Sequence, residues 1–409
     1  MDLSGSKLRT IKYKNMGLVL RMILMGLQTN RSDISKELGL TKTTLTNIVS
    51  ELIECGIIEE KTAPEPVPCS RRGRKSVRLA LSDKAPLICG ITLLREKITL
   101  ILADMQGNIH TYEERTYTAT LRLDEMKAYI AEMYAAATDG LSRRILATGV
   151  ASVGPVDSDR GLVLKPKRFY EEDEEFAVCD FVENLTGTKV FFSHDITAAV
   201  SAETLYGCAG QDSNFIYVSI IKGLGVGLFL NSRPFSGIAG QNGELGHISI
   251  DYRGELCECG RRGCVEKYID IAAVKRRAHQ YADVFPNHLI FNKADADIFD
   301  IIHLADENDD LSLLLLKDYC TYLATALSAL TLSLGVNKIY ISNSPDCIDG
   351  IFERILEREI NDRSYVSEYQ QVCVRGSGLG LQAFVYGSVA IVVERIFNGE
   401  ITDMLVSPA

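Results

Sequence analysis

The sequence predicts an α/β protein with a winged helix-turn-helix head over residues 1–83 and a two-lobed α/β body over residues 84–409. Three observations predict it. The head carries helix-period segments joined at Gly39-Leu40-Thr41, followed by two strand-like runs around a proline-rich, basic tip. The body reads twice as three meandering strands followed by alternating helix and strand, the pattern of two related lobes around a cleft. Charge divides at the same boundary. Residues 1–82 hold 14 Lys/Arg against 8 Asp/Glu, a net +6, and the remainder carries −16 of a total of −10. A basic head on an acidic body points the head at a polyanion.

In the head, Met16, Val19, Leu20, Ile23 and Leu27 share one face of a first helix. Ser32–Leu38 is a short second helix with Ile34 and Leu38 inward, and Thr41 caps a third that runs from Lys42 to about Glu54. The third helix buries Leu45, Ile48, Val49, Leu52 and Ile53. Its other face presents Lys42, Thr43, Thr44, Thr46, Asn47 and Ser50, short donors and acceptors suited to base edges and phosphates in a major groove. Gly56 stops the helix. Ile57–Lys61 and Ser76–Leu81 alternate as strands of a wing, whose tip carries Arg71, Arg72, Gly73, Arg74 and Lys75. Glycine between arginines lets the backbone lie close to a narrow groove that the guanidiniums enter. The expected partner is double-stranded DNA with a palindromic operator, read by a homodimer or tetramer.

Pro86 opens the body. Strands are expected at Leu87–Leu94, Lys97–Asp104, Asn108–Tyr117, Ile145–Val153, Val190–Ser193, Phe215–Ile221, Val226–Leu230 and Lys338–Ser342. Helices are expected at Leu123–Thr138, Thr197–Tyr206, Val265–Tyr281, Leu311–Leu334 and Gly380–Phe397. Leu311–Leu334 is apolar on nearly every face, as in a buried core helix or a subunit contact. The acidic run Glu171–Glu175 reads as a solvated loop.

With 409 residues, 46% of them hydrophobic, the chain has ample core and is not disordered. An odd number of cysteines, 11, in so large a chain argues against a disulfide framework. Leu18–Leu27 is interrupted by Arg21 and reads as an amphipathic helix rather than a signal peptide, and no apolar run is long and clean enough to span a membrane. Free thiols without a signal place the protein in the cytoplasm.

One cluster carries chemistry. Gly243-Glu244-Leu245-Gly246-His247 is followed by Cys257-Glu258-Cys259-Gly260-Arg261-Arg262-Gly263-Cys264-Val265-Glu266. His247, Cys257, Cys259 and Cys264 supply the donors of a tetrahedral Cys₃His zinc site, which leaves no open position and is structural. Closure of residues 243–266 around a metal fixes two carboxylates, Glu244 and Glu266, in a rigid polar pocket.

These motifs resemble the ROK family (repressors, open reading frames, kinases), over about residues 8 to 397, and point to its repressor branch. The resemblance implies an actin/hexokinase-like body of the sugar-kinase type, a structural zinc on those four residues, and a sugar or sugar-phosphate effector. It implies that the sugar hydroxyls meet Asp195, Glu244, His247 and Glu266. His194 stands beside Asp195 where kinases of the family have Asn, and Gly154-Pro155-Val156-Asp157 matches a loop beside the sugar. The chain departs from the kinases at Thr92-Leu93-Leu94-Arg95-Glu96, which replaces Asp-x-Gly-Gly-Thr. Bulky residues and a carboxylate stand where a phosphate cradle needs glycine and no negative charge. Gly223-Leu224-Gly225-Val226-Gly227-Leu228 keeps only half of a second glycine loop, and Ser342-Asn343-Ser344-Pro345 replaces a glycine pair. The expectation is therefore a sugar-responsive repressor of carbohydrate metabolism genes and not an enzyme. The alternative is an ATP-dependent sugar kinase with an accessory DNA-binding head. Release by a protein of a sugar-transport system is a further way such a regulator is switched.

Overall fold

Apolar residues at helical spacing set the head. The computed structural model describes residues 8–62, 77–118, 120–166, 169–221, 223–238, 240, 242–342, 350–364 and 368–407. Helix α1 (Leu8–Leu24) buries Met16, Val19, Leu20 and Ile23 completely or nearly so, at about 1.5–3 kcal/mol each. Leu27, expected on the same face, lies beyond the helix end and is 44% exposed, because the chain turns at Gly26. Helix α2 (Arg31–Glu37) buries Ile34, and Leu38 is its C-cap rather than a helical position. Helix α3 (Lys42–Glu54) begins where expected, with the Thr41 side chain accepting from Thr44 N–H at 3.1 Å. Gly56 follows its C-cap with a positive φ. Strands β1 (Ile58–Thr62) and β2 (Val77–Leu81) pair antiparallel as the wing stem. The tip, with Arg71, Arg72, Arg74 and Lys75, lies outside the described residues.

The structure divides into two compact units, residues 1–206 with 384–409, and residues 207–383. In the first, β3 (Leu87–Leu94), β4 (Lys97–Ala103) and β5 (Ile109–Thr116) form an antiparallel meander. Helix α4 (Leu123–Thr138) leads to β6 (Ile145–Ser152). A small sheet of β7 (Val156–Asp157), β8 (Leu162–Leu164) and β9 (Glu175–Ala177) precedes α5 (Val178–Thr186), β10 (Val190–His194) and α6 (Asp195–Tyr206). Strands β6 and β10 add in parallel, giving the order β10-β6-β3-β4-β5. β3 is buried on both faces almost throughout, so it reads as an unbroken apolar run.

The second unit repeats the frame. Its strands β11 (Phe215–Ser219), β12 (Gly225–Leu230), β13 (Arg233–Phe235), β14 (Lys338–Ser342) and β15 (Cys373–Gly376) run in the order β13-β12-β11-β14-β15. β11, β12 and β13 are antiparallel, and β14 and β15 add in parallel. Its helices are α7 (Glu266–Ile269), α8 (Ile271–Ala278), α9 (Leu289–Asn292), α10 (Ile298–Asp306), α11 (Asp310–Leu334) and α12 (Ile351–Asn361). The single helix expected over Val265–Tyr281 is broken at Asp270. That residue is extended and its carboxylate caps α8 at Ala273 N–H. By length and composition α11 is apolar enough to cross a membrane, which corrects the sequence expectation, yet half of that window is buried inside the unit's core. The chain then returns to the first unit with α13 (Gln382–Phe397) and α14 (Thr402–Val406).

The first unit has one continuous core that joins the head to the body. Met16, Leu20, Leu45 and Leu52 of the head belong to the same cluster as Ile88, Ala147, Val389, Ile396 and Phe397. The acidic run is more than a solvated loop. Glu172 accepts the Leu123 N–H at 2.8 Å and so helps cap α4, and Glu175 opens β9.

Candidate functional site

The residues singled out in the sequence fall on three parts of the structure. The first is the loop after β13. Its fold depends on tight backbone approaches: Gly263 has φ +66°, and a Cβ there would overlap the Asp251 carbonyl oxygen. Backbone bonds close the loop, with Cys257 N–H donating to Arg261 O, Gly260 N–H to Cys257 O and Ile250 N–H to Gly263 O. These turns bring His247, Cys257, Cys259 and Cys264 together, with all four donor atoms within 4.8 Å of one another. Cys257 Sγ lies 3.6 Å from His247 Nδ1, and Cys259 Sγ lies 3.5 Å from Cys264 Sγ. A tetrahedral zinc with Zn–S of about 2.3 Å and Zn–N of about 2.0 Å requires donors roughly 3.5–3.8 Å apart, so the spacing fits. This cluster can hold a metal ion.

Burial pushes the Cys264 thiol up to about 12, and the neighbouring thiols add to it. The hydrogen bond with the Arg261 backbone draws Cys259 down. A bound cation inverts this logic by stabilising the thiolates directly.

Glu244 caps the short 3₁₀ turn Leu245–His247 and is exposed. Glu266 begins α7, with Oε2 3.7 Å from His247 Nδ1. The ring nitrogen that faces the thiols therefore also faces a carboxylate. A Cβ on Gly223 would stand 3.0 Å from Glu266 Oε1, which places this carboxylate against the turn between β11 and β12. Sequence reasoning missed the braces of this loop. Tyr268 Oη donates to Asp251 Oδ2 at 3.4 Å, its ring packs on Tyr322 at 4.9 Å, and Arg277 stands over the Tyr322 ring at 5.3 Å. A tyrosine two residues past Glu266 was the available signal.

The second part is the start of α6. His194 Nε2 lies 3.3 Å from Asp195 Oδ1, and both side chains are largely buried. Asp195 Oδ1 also accepts the Ile196 N–H. His194 Nδ1 is buried with no hydrogen-bond partner, and the ring presses on Gly154, where a Cβ would come 2.7 Å from Nε2. Gly154-Pro155 is a cis peptide. His194 and Asp195 belong to the first unit; Glu244, His247 and Glu266 belong to the second.

The third part is α3. Lys42, Thr43, Thr46 and Asn47 are exposed, and Thr44 is half-buried. The Thr44 hydroxyl bonds the Thr41 hydroxyl at 2.9 Å, and Thr46 Oγ1 donates to the Lys42 carbonyl at 2.8 Å. Both hydroxyls keep lone pairs, but their rotors are engaged within the helix. Lys12 on α1 pairs with Glu51 at 2.7 Å and helps seat α3.

The segment Thr92–Glu96 is the end of a tight hairpin. β3 pairs with β4 up to Leu94 and Lys97, so the turn is only Arg95 and Glu96. Thr92 is buried and donates to Phe384 O, while Tyr117 closes over the turn through Glu96 O and Leu94 O. In the second hairpin Leu224, Val226 and Leu228 turn into the core. Ser342 is buried and donates to Gly380 O; Asn343, Ser344 and Pro345 lie outside the described residues.

Residues 88–395 match the ROK family. The chain belongs to the ROK family. Among its relatives, the xylose repressor of Bacillus spizizenii is 26% identical over 395 residues, covering 95% of this chain and 97% of that protein. The crystal structure of a ROK family transcriptional regulator, a homologue of the E. coli Mlc protein, superposes with a TM-score of 0.80 at 25% identity and covers 97% of this chain and 99% of that one. A ROK family glucokinase from Streptomyces griseus, solved with glucose and AMPPNP, gives a TM-score of 0.63 at 22% identity. That likeness covers 74% of this chain and 97% of the glucokinase, and at this identity it bears on the fold.

Proposed function

We propose that this ROK protein is a sugar-responsive transcriptional repressor of carbohydrate metabolism genes. The observation that carries the reading is the Thr41-capped helix α3, which turns an exposed polar face outward from a helix-turn-helix head. Lys42, Thr43, Thr44, Thr46 and Asn47 read a palindromic operator in the major groove, and Arg71, Arg72, Arg74 and Lys75 of the wing grip the backbone and minor groove. The repressor names of its relatives support this assignment. It acts in the cytoplasm, as a homodimer or tetramer whose heads meet two half-sites.

The effector is a sugar or sugar phosphate that hydrogen-bonds with Asp195, Glu244, His247 and Glu266, with His194 orienting Asp195. The metal of His247, Cys257, Cys259 and Cys264 is a structural zinc. When bound it fills all four positions and holds His247 and the Glu266 helix in place, without chemistry of its own. The kinase alternative is disfavoured by the two-residue Arg95–Glu96 turn, whose flanking backbone is spent on the β ladder and Tyr117.

The test is fluorescence anisotropy on DNA from the gene's own upstream region, titrated with D-xylose, D-glucose, N-acetyl-D-glucosamine and their phosphates. Tight binding that one sugar weakens is expected. The absence of sequence-specific binding overturns the reading, and binding that none of these compounds alters moves the signal to a protein partner. Turnover of ATP with any of these sugars restores the kinase alternative.

A further inference from the structure

The chain passes between the two units at two points, at the end of α6 (Tyr206 to Gly207) and at the start of α13 (Ala383 to Phe384). Both helices lie in the first unit, and they touch without intervening side chains. A Cβ on Gly387 of α13 would come within 2.7 Å of the Ala198 carbonyl carbon of α6. One turn further along α6, Ser201 Oγ donates to Glu394 Oε2 of α13 at 2.8 Å. At its far end α13 meets the head: a Cβ on Gly17 of α1 would come within 2.5 Å of the Ile396 and Phe397 carbonyl oxygens. α6 thus begins at Asp195 and is fastened midway to the helix on which α1 rests.

We propose that the Ser201–Glu394 hydrogen bond makes α6 and α13 a single relay, with Glu394 the positioning residue that couples occupancy at the start of α6 to the setting of α1 and the DNA-reading helix. The proposal rests on the effector reading above. Its physical basis is the absence of slack: two helices in backbone contact slide only by breaking packing, and the hydrogen bond fixes their register. Glu394 faces the Ser201 hydroxyl of α6, Arg21 of α1, Arg395 of its own helix and Glu400 beyond it. Burial pushes its carboxyl up to about 7, against the Ser201 hydrogen bond and the Arg21 and Arg395 charges, which draw it down, while Glu400 adds to the rise. Arg395 is itself paired with Glu400 at 2.7 Å. The relay therefore works with a group that changes charge near neutrality.

The experiment compares full-length wild type with S201A, E394A and E394Q, each checked for far-UV circular dichroism and zinc content. Calorimetry reads sugar affinity, and anisotropy reads operator affinity with and without that sugar. In S201A and E394A sugar affinity stays within about twofold, while the sugar-induced change in operator affinity shrinks about fivefold or more. E394Q keeps the acceptor and restores the response, and it removes the change in response between pH 6 and 8. A wild-type response in S201A and E394A overturns the relay. If wild type responds to none of the sugars, the effector reading fails by itself, and amide hydrogen exchange then decides the relay. S201A must raise exchange in α1 as well as in α6 and α13, and unchanged exchange in α1 overturns it.

Discussion

The two five-stranded sheets share one topology and differ in what their connections carry. In the first, the turn between β3 and β4 is two residues, Arg95 and Glu96, and β5 leads within six residues into the ordinary helix α4. In the second, five residues separate Ser219 from Gly225, and β13 leads into the loop that gathers one imidazole and three thiols. The strands are interchangeable apolar frames, while the loops are not. One lobe has closed its first hairpin and fastened itself to a DNA-binding head through a common core. The other has a longer, glycine-bearing turn beside a loop that can hold a metal ion.

Removing the metal is the harshest way to break this comparison. Cys259→Ser leaves three donors, and a four-donor structural site depends on all of them. Metal content by elemental analysis is expected to fall from about one zinc per chain to background. Hydrogen exchange is expected to rise across residues 243–266 and α7 while the first sheet stays protected. Retained metal would remove Cys259 from the donor set.

A smaller break isolates backbone from metal. Gly263→Ala meets both a positive φ and the Asp251 carbonyl oxygen, so a loss of about 3 kcal/mol or more is expected. Gly187, which caps α5 in the first unit, has the same φ of +66° with open space around it. Gly187→Ala is expected to cost about 1 kcal/mol. Equal losses by urea denaturation would mean that the loop yields at the Asp251 carbonyl.

How much of this was legible follows the same division. Strands β3 and β14 are legible to the residue because they are buried almost throughout, and helix α4 because its buried Leu123, Met126, Ile130, Met133 and Ala137 recur at helical spacing. The Thr41 cap and the clustering of His247, Cys257, Cys259 and Cys264 are legible because both follow from short local spacing. Helices α5, α10 and α12 and the small β7–β9 sheet went unread, since short amphipathic segments in a long connection compete with turn signals. The break at Asp270 was invisible for a different reason. An aspartate at a helical position is ordinary until its side chain is seen capping Ala273. Glu172 was mistaken for plain solvated charge because its partner, the Leu123 N–H, is 49 residues away.

Glu394 gives a pH test of the head–body junction in the first unit. Its folded pKa of about 7 lies above the ordinary value of 4.5. A carboxyl raised in this way contributes its stability in full below about 4.5, and that contribution is lost as pH rises through about 7. The shift corresponds to at most about 3 kcal/mol. Glu394→Gln is expected to leave the urea midpoint unchanged at pH 4.5 and to raise it at pH 8.5. An equal midpoint at pH 8.5 would show that water reaches the carboxylate.

The smallest expected effect separates contact from recognition on α3. Lys42 is exposed at the start of the helix, and on the proposed reading its ammonium meets a phosphate at the edge of the groove. Lys42→Ala should therefore weaken operator and unrelated DNA alike and lower the slope of log affinity against log salt by about 0.9. Asn47 is exposed five residues further along and carries the kind of amide that can pair bidentately with adenine. Asn47→Ala should cost about 1–3 kcal/mol on the operator and leave both the salt slope and binding to unrelated DNA in place. The reverse pattern, a salt-slope change at Asn47 and lost discrimination at Lys42, would rotate the helix in the groove.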